Sequence, residues 1–228
     1  MSTLSMKLQD AIRVFVMGHH LSAGLENEEK VCSIAAINLV LTGELTDSIP
    51  GCMSVVIGKW IVVIQDAISD ELRNDNAWKS LLPLAAGTGR EPAAEQRRLD
   101  MILDWMWIRT LPTVLPAAEK CGFGDEWRAM LAQRTPAATE AMVKAMAATG
   151  AVAGAQTVQT VRAVTRAATA ARAVARADAA RADAAWGHAA WAVAWAVAEA
   201  AAWAGSEATA ATWEKFAPAD LLRQLIEC

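Results

Sequence analysis

A chain of 228 residues with 54% hydrophobic content has ample material for a packed core. Its formal net charge of −4 excludes the strong basic field that duplex nucleic acid requires, and is too mild for a nucleic-acid mimic. Cysteines at 32, 52, 121 and 228 form no CxxC pair and follow no signal sequence, so they read as reduced thiols in a cytoplasmic protein.

Ser5 to Met17 spaces Leu8, Ala11, Ile12, Phe15 and Val16 on one helical face, and Gly18 is its stop signal. His19-His20 falls in the following loop; neighbouring histidines cannot share a helical face, and no cysteine or acid stands at ligand spacing beside them. Asn27 reads as the N-cap of a helix through Val31, Ile34, Ala35, Leu39 and Leu41 that ends at Thr42-Gly43. From Met53 to Leu72 two β-branched runs compete with a helical period set by Met53, Ile57, Trp60, Ile61, Ile64, Ala67 and Ile68; the period spans the whole stretch and predicts a buried helix. A short helix interrupted at Pro83 follows. The Gly87-Thr88-Gly89 loop fits neither phosphate-binding glycine motif. Pro92 opens a helix over Ala93 to Thr110 with Leu99, Ile102, Leu103, Met106 and Thr110 inward.

Pro50 to Ile57, the Leu81-Leu82-Pro83-Leu84 stretch with Gly87-Thr88, the run from Asp104 to Pro112 and the Ala/Arg/Trp-rich tail together resemble a family of uncharacterised bacterial and phage proteins. The resemblance runs from Pro50 onward. It implies fold kinship and a bacterial or phage setting, and it assigns no catalytic residue.

Asp125 is the expected cap of a helix carrying Trp127, Met130 and Leu131, and Thr135-Pro136 is a cap followed by an N1 proline. Alanine rises and charge density falls beyond that point, which divides the chain into a helical bundle over 1–135 and an alanine-rich helical region over 136–228. Its last segment, Asp220 to Ile226, is amphipathic and docks on the core through Leu221, Leu222, Leu225 and Ile226. The predicted fold is therefore all-α: a multi-helix N-terminal bundle with a long Ala/Trp-rich C-terminal helix or helical hairpin.

Ala155 to Trp213 is the most informative stretch. Alanine fills 28 of the 60 residues from Ala151 to Ala210, and no proline occurs between Pro136 and Pro218. Arg176, Arg181, Trp186 and Trp191 recur every five residues, a step that spirals around a helix and calls for neighbours on several sides. Arg162, Arg166, Arg172, Arg176 and Arg181 against Asp178 and Asp183 leave a formal +3, whereas Glu199, Glu207 and Glu214 leave −3 in the half that follows. That order opposes the helix macrodipole. Antiparallel pairing about Gly187 relieves it by bringing Arg176 level with Glu199, Arg166 with Glu207, Arg162 with Glu214 and Arg172 with Trp203. Either a hairpin turning at Trp186-Gly187-His188 or two chains crossing as a homodimer satisfies this pairing; a lone glycine costs a continuous helix only about 1 kcal/mol, which favours the dimer. Ala189 to Ala204 is too short between charges for a membrane span.

Three histidines without a partner motif support no triad and no metal or cofactor site. Asp104 and Arg109, flanking Trp105, are the first pair to test for chemistry. Trp186, Trp191, Trp195, Trp203 and Trp213 on an alanine helix each need a pocket on a partner. The leading expectation is a non-enzymatic interaction protein, a homo-oligomer that serves a phage or mobile element as an inhibitor of host machinery. The alternative is a nucleotide-sequestering protein, with tryptophans stacking on the base and Arg162 to Arg181 holding phosphates. An enzyme working through Asp104 and Arg109, and membrane association, complete the set.

Overall fold

Helical periods and caps in the sequence become helices throughout the described residues, with no strand among them. A computed structural model describes residues 5–24, 30–148, 155–174, 177, 181–203 and 209–228. In chain order the helices are α1 (Met6–Gly18), α2 (Ser33–Thr42), α3 (Val55–Ala67), α4 (Asp70–Asn74), α5 (Asn76–Lys79), α6 (Leu82–Ala85) and α7 (Pro92–Trp105). A π-helical turn, Met106–Thr110, leads into α8 (Leu111–Thr113), α9 (Leu115–Lys120), α10 (Gly124–Gln133), α11 (Pro136–Ala148), α12 (Ala155–Val174), α13 (Ala182–Trp203), α14 (Thr209–Phe216) and α15 (Pro218–Glu227). They form two units, Met1–Arg98 with Ala217–Cys228, and Leu99–Phe216. The division expected at 135/136 thus falls inside the second unit, because α10 packs on α11 across it.

In the first unit α3 is the buried axis, with Val56, Ile57, Trp60, Ile61 and Ile64 inaccessible to solvent. Each of its ends meets a side chain of the sign its dipole favours. At the N-terminus Ser54 Oγ accepts from the Ile57 N–H, and the Glu95 carboxylate of α7 accepts from the Val56 N–H at 3.0 Å. Arg73 at the other end donates through Nε to the Gln65 carbonyl at 2.7 Å and through Nη2 to the Ile68 carbonyl at 2.9 Å. Arg98 then pairs with Glu95 at 2.8 Å and donates to the Leu225 carbonyl at 3.0 Å, tying α15 to the unit formed by residues 1–98. All three charged groups are buried, so each depends on these partners.

Local expectations hold at several ends and shift at others. Ser5 caps α1 and Gly43 stops α2 with φ 75°. However, α2 begins at Ser33 behind Cys32, whose Sγ accepts from the Ala35 N–H; Asn27 lies outside the described residues. Phe123, not Asp125, precedes α10, and Asp125 sits in its first turn. The predicted helix from Ala93 to Thr110 changes character at Met106. Pro112 has no N–H and its ring crowds the Ile108 carbonyl, so the chain widens and the Leu111 N–H reaches back to the Met106 carbonyl. Thr113 Oγ1 satisfies the Arg109 carbonyl at 2.9 Å.

In the second unit α12 and α13 lie antiparallel along their length. Thr160 Oγ1 donates to the Glu199 carbonyl at 3.1 Å, joining the start of one helix to the end of the other. Alanine suits this: Ala163, Ala167 and Ala170 on α12, and Ala189, Ala190, Ala192, Ala194, Ala196 and Ala200 on α13, are buried, and side chains this small let neighbouring helices approach closely. Neighbours on further sides of α13 are the π turn and α14.

Candidate functional site

The hairpin overturns the expected intrachain register. Its turn lies between Val174 and Ala182, and α13 runs unbroken through Trp186, Gly187 and His188. Counting back from the Thr160–Glu199 contact brings Arg166 level with Val193 and Arg162 level with Val197, instead of with Glu207 and Glu214. The physical reason is area: the earlier turn lets the apolar faces of both helices bury each other, and that outweighs a few solvent-screened ion pairs. Gly187 and Trp186 are themselves buried, so a two-chain pairing centred on Gly187 would have to open these contacts.

The tryptophans separate into two groups. Trp186 is buried. Trp191 and Trp195 are 37% and 42% exposed and stack on each other, with ring centroids 5.7 Å apart and planes 17° from parallel. One helical turn separates them, about 40° apart around α13. Exposed Ala184, His188 and Ala202 continue the same stripe, which half-buried Glu199 borders; no exposed position of α13 from 184 to 202 carries Asp, Glu, Lys or Arg. Trp203 belongs to α13 and Arg172 to α12, but their side chains, like Arg176 as a whole, lie outside the described residues. Arg181 is exposed at the start of α13.

Asp104, Trp105 and Arg109 have separate surroundings. Asp104 is exposed. Arg109 donates to the Lys215 carbonyl at 2.8 Å, and Trp105 packs edge-on against Phe216 at 6.0 Å, which Trp213 also meets edge-on at 5.5 Å. These contacts anchor α14 to the π turn, so the aspartate and arginine face different tasks. Thr110 Oγ1 is buried in that turn with no hydrogen-bond partner among the described residues.

Arg162 and Arg166 meet residues that sequence reasoning did not single out. With Thr165 they form one wall of an open groove of about 430 Å³, and Glu140, Val143 and Lys144 of α11 form the other. Among the described residues, Lys144, Arg162 and Arg166 make no ion pair, and neither does Glu140. No family model, curated protein or solved structure matches this chain. The groove's described lining contains no tryptophan, so the stacking and phosphate-holding functions expected of one nucleotide cradle stand on different helices. Glu140 and Lys144 lie four residues apart on one face of α11; that spacing was legible, but which helix they would face was not.

The first unit holds its own polar cluster. His19 stacks on Phe15 at 3.8 Å and its Nδ1 lies 2.7 Å from the Phe15 carbonyl, while His20 Nε2 lies 3.0 Å from Asp70 Oδ2. Lys79 donates to the His19 carbonyl at 2.6 Å, and burial pushes its ammonium below the usual lysine range. These groups close the end of α1 and cap loop carbonyls. Among the described residues no three His, Cys, Asp or Glu side chains gather as a metal site, and no helix is long and apolar enough to cross a membrane.

Proposed function

We propose that this protein is a non-enzymatic interaction module that binds a protein partner through the outward face of α13. The reading is supported above all by the exposed, stacked Trp191–Trp195 pair on a stripe whose other exposed residues are alanine and histidine. The third or more of each indole that stays in water gains nothing for the folded chain. On a partner they supply rigid apolar area, and the small alanines beside them let a second helix approach closely. A phage or mobile-element role, with host machinery as the target, is the setting that the sequence resemblance implies for such a module; a second copy of this chain is the other candidate partner.

A photo-crosslinking amino acid at position 195, compared with one at exposed Arg13 on α1, tests the reading in the intact chain. A discrete crosslinked product is expected from position 195 and not from position 13, and it should vanish when Trp191→Ser is added. A product at twice the chain's mass identifies a homodimer. Absence of any product, or the same products from both positions, would overturn the reading.

A further inference from the structure

We propose that the groove between α11 and α12 binds a ligand bearing at least two linked phosphoryl groups, in the manner of pyrophosphate or a nucleoside diphosphate. Among its described lining residues, three cations, Lys144, Arg162 and Arg166, stand against the one carboxylate of Glu140. In a chain whose formal net charge is −4, this is a local excess of the opposite sign.

The pairing habits of the other surface arginines sharpen the point. Arg13 meets Asp10, and Arg128 meets Asp125 and Glu119. Arg162 and Arg166 have no such partner among the described residues, although they stand one turn apart on the same exposed face of α12, where like charges repel. Across the groove, Glu140 and Lys144 have the spacing and order of a stabilising helical ion pair and do not make one. The ammonium is therefore available to a ligand.

Guanidinium groups grip phosphate oxygens with two parallel N–H donors, and their Cα atoms here are about 6 Å apart along the helix, within reach of two neighbouring phosphoryl groups. Lys144 adds a point charge from the opposite wall. Val143 gives the groove an apolar element, and the Thr165 hydroxyl is already donated to the Val161 carbonyl at 2.9 Å. The volume of about 430 Å³ lies within the range of small-molecule sites. Because the three cations come from two helices, an occupant would clamp α11 to α12.

Titration calorimetry on the full chain with pyrophosphate, ADP, AMP and orthophosphate at low and physiological salt tests the proposal. Pyrophosphate and ADP are expected to bind at least ten-fold more tightly than AMP and orthophosphate, with affinity falling as salt rises. The double variant Arg162→Gln/Arg166→Gln should lose at least ten-fold in affinity. Arg13→Gln, an ion-paired arginine in the other unit, should lose none. Equal affinity for pyrophosphate and ADP identifies the phosphates alone as the recognised group; tighter ADP adds the nucleoside. No binding by any of the four, orthophosphate binding as tightly as pyrophosphate, or equal loss in Arg13→Gln would overturn the proposal. Circular dichroism of the double variant verifies its fold, and Lys144→Gln supplies the same test from the other helix.

Discussion

The α3 axis of the first unit and the α12/α13 hairpin of the second solve the same problem, burying a helix on several sides, with opposite materials. Around α3 the core is large side chains, and charged groups from other helices close both helix ends: Glu95 at the start, Arg73 at the finish, with Arg98 holding Glu95 and α15 together. Around α13 nearly everything buried is alanine or valine, and Thr160 supplies one polar tie to Glu199. A core of large groups and buried charges depends on a few partners that nothing can replace. The alanine hairpin depends on the smallness of many, and its outward face carries two tryptophans that stack on each other with over a third of each exposed.

The largest effect is expected where a buried charge loses its counter-charge. Arg98→Ala strands Glu95 in the core and releases the Leu225 carbonyl, and should cost about 3 to 5 kcal/mol in denaturant unfolding. A loss below about 1 kcal/mol would mean that the pair is not what holds α15 in place. On the hairpin side, Ala194→Leu adds a branched side chain at a position with no exposed surface and should cost about 1 to 3 kcal/mol by overpacking, despite leucine's good helix propensity. If Ala194→Leu leaves the unfolding midpoint unchanged, the tight packing around α13 is wrong.

A smaller contrast is pH-dependent. Glu91 caps α7 by accepting from the Ala93 and Ala94 N–H groups, which hold its carboxyl below the ordinary value of 4.5. A carboxyl depressed in the folded state contributes stability that is present above its unfolded value and disappears as pH falls through the folded one. Stability should therefore drop below pH 4.5 in the parent chain, and Glu91→Gln should flatten part of that fall. Identical acid limbs in parent and variant would refute the cap's contribution. A moderate effect on stability, about 1 to 2 kcal/mol, is expected from Trp191→Ser with Trp195→Ser, because the ring stack and the covered part of each indole are lost while over a third of each residue already lies in water. A large loss would place the tryptophans in the fold rather than on a docking face.

Much of the candidate site was legible as residue type and not as arrangement. The alanine run, the arginine spacing and the tryptophan spacing all identified the hairpin as the informative region. Which tryptophans face water was not legible, because all sit on an alanine background and only the neighbours of α13 separate buried Trp186 from exposed Trp191 and Trp195. The groove was half legible: Arg162 and Arg166 stood out, while Glu140 and Lys144 became relevant only when α11 folded beside α12. Asp104 and Arg109 drew notice as neighbours in sequence and proved to have separate surroundings.

Sequence by itself determined the helices, because periodicity, alanine content and caps such as Ser5, Gly43 and the Thr135-Pro136 pair act over one or two turns. The π turn was not expected, although the residue behind it, Pro112, removes a donor wherever the chain goes. Tertiary structure alone decided where the alanine stretch folds back. No proline or glycine marks the segment between Val174 and Ala182, so the turn is placed by the register that buries most of both helices, with Thr160 meeting Glu199. The same holds for Glu95 and Arg98, whose spacing on α7 announces an ion pair but not the helix end it caps, 39 residues earlier in the chain. Local chemistry sets the elements; long-range burial chooses their partners.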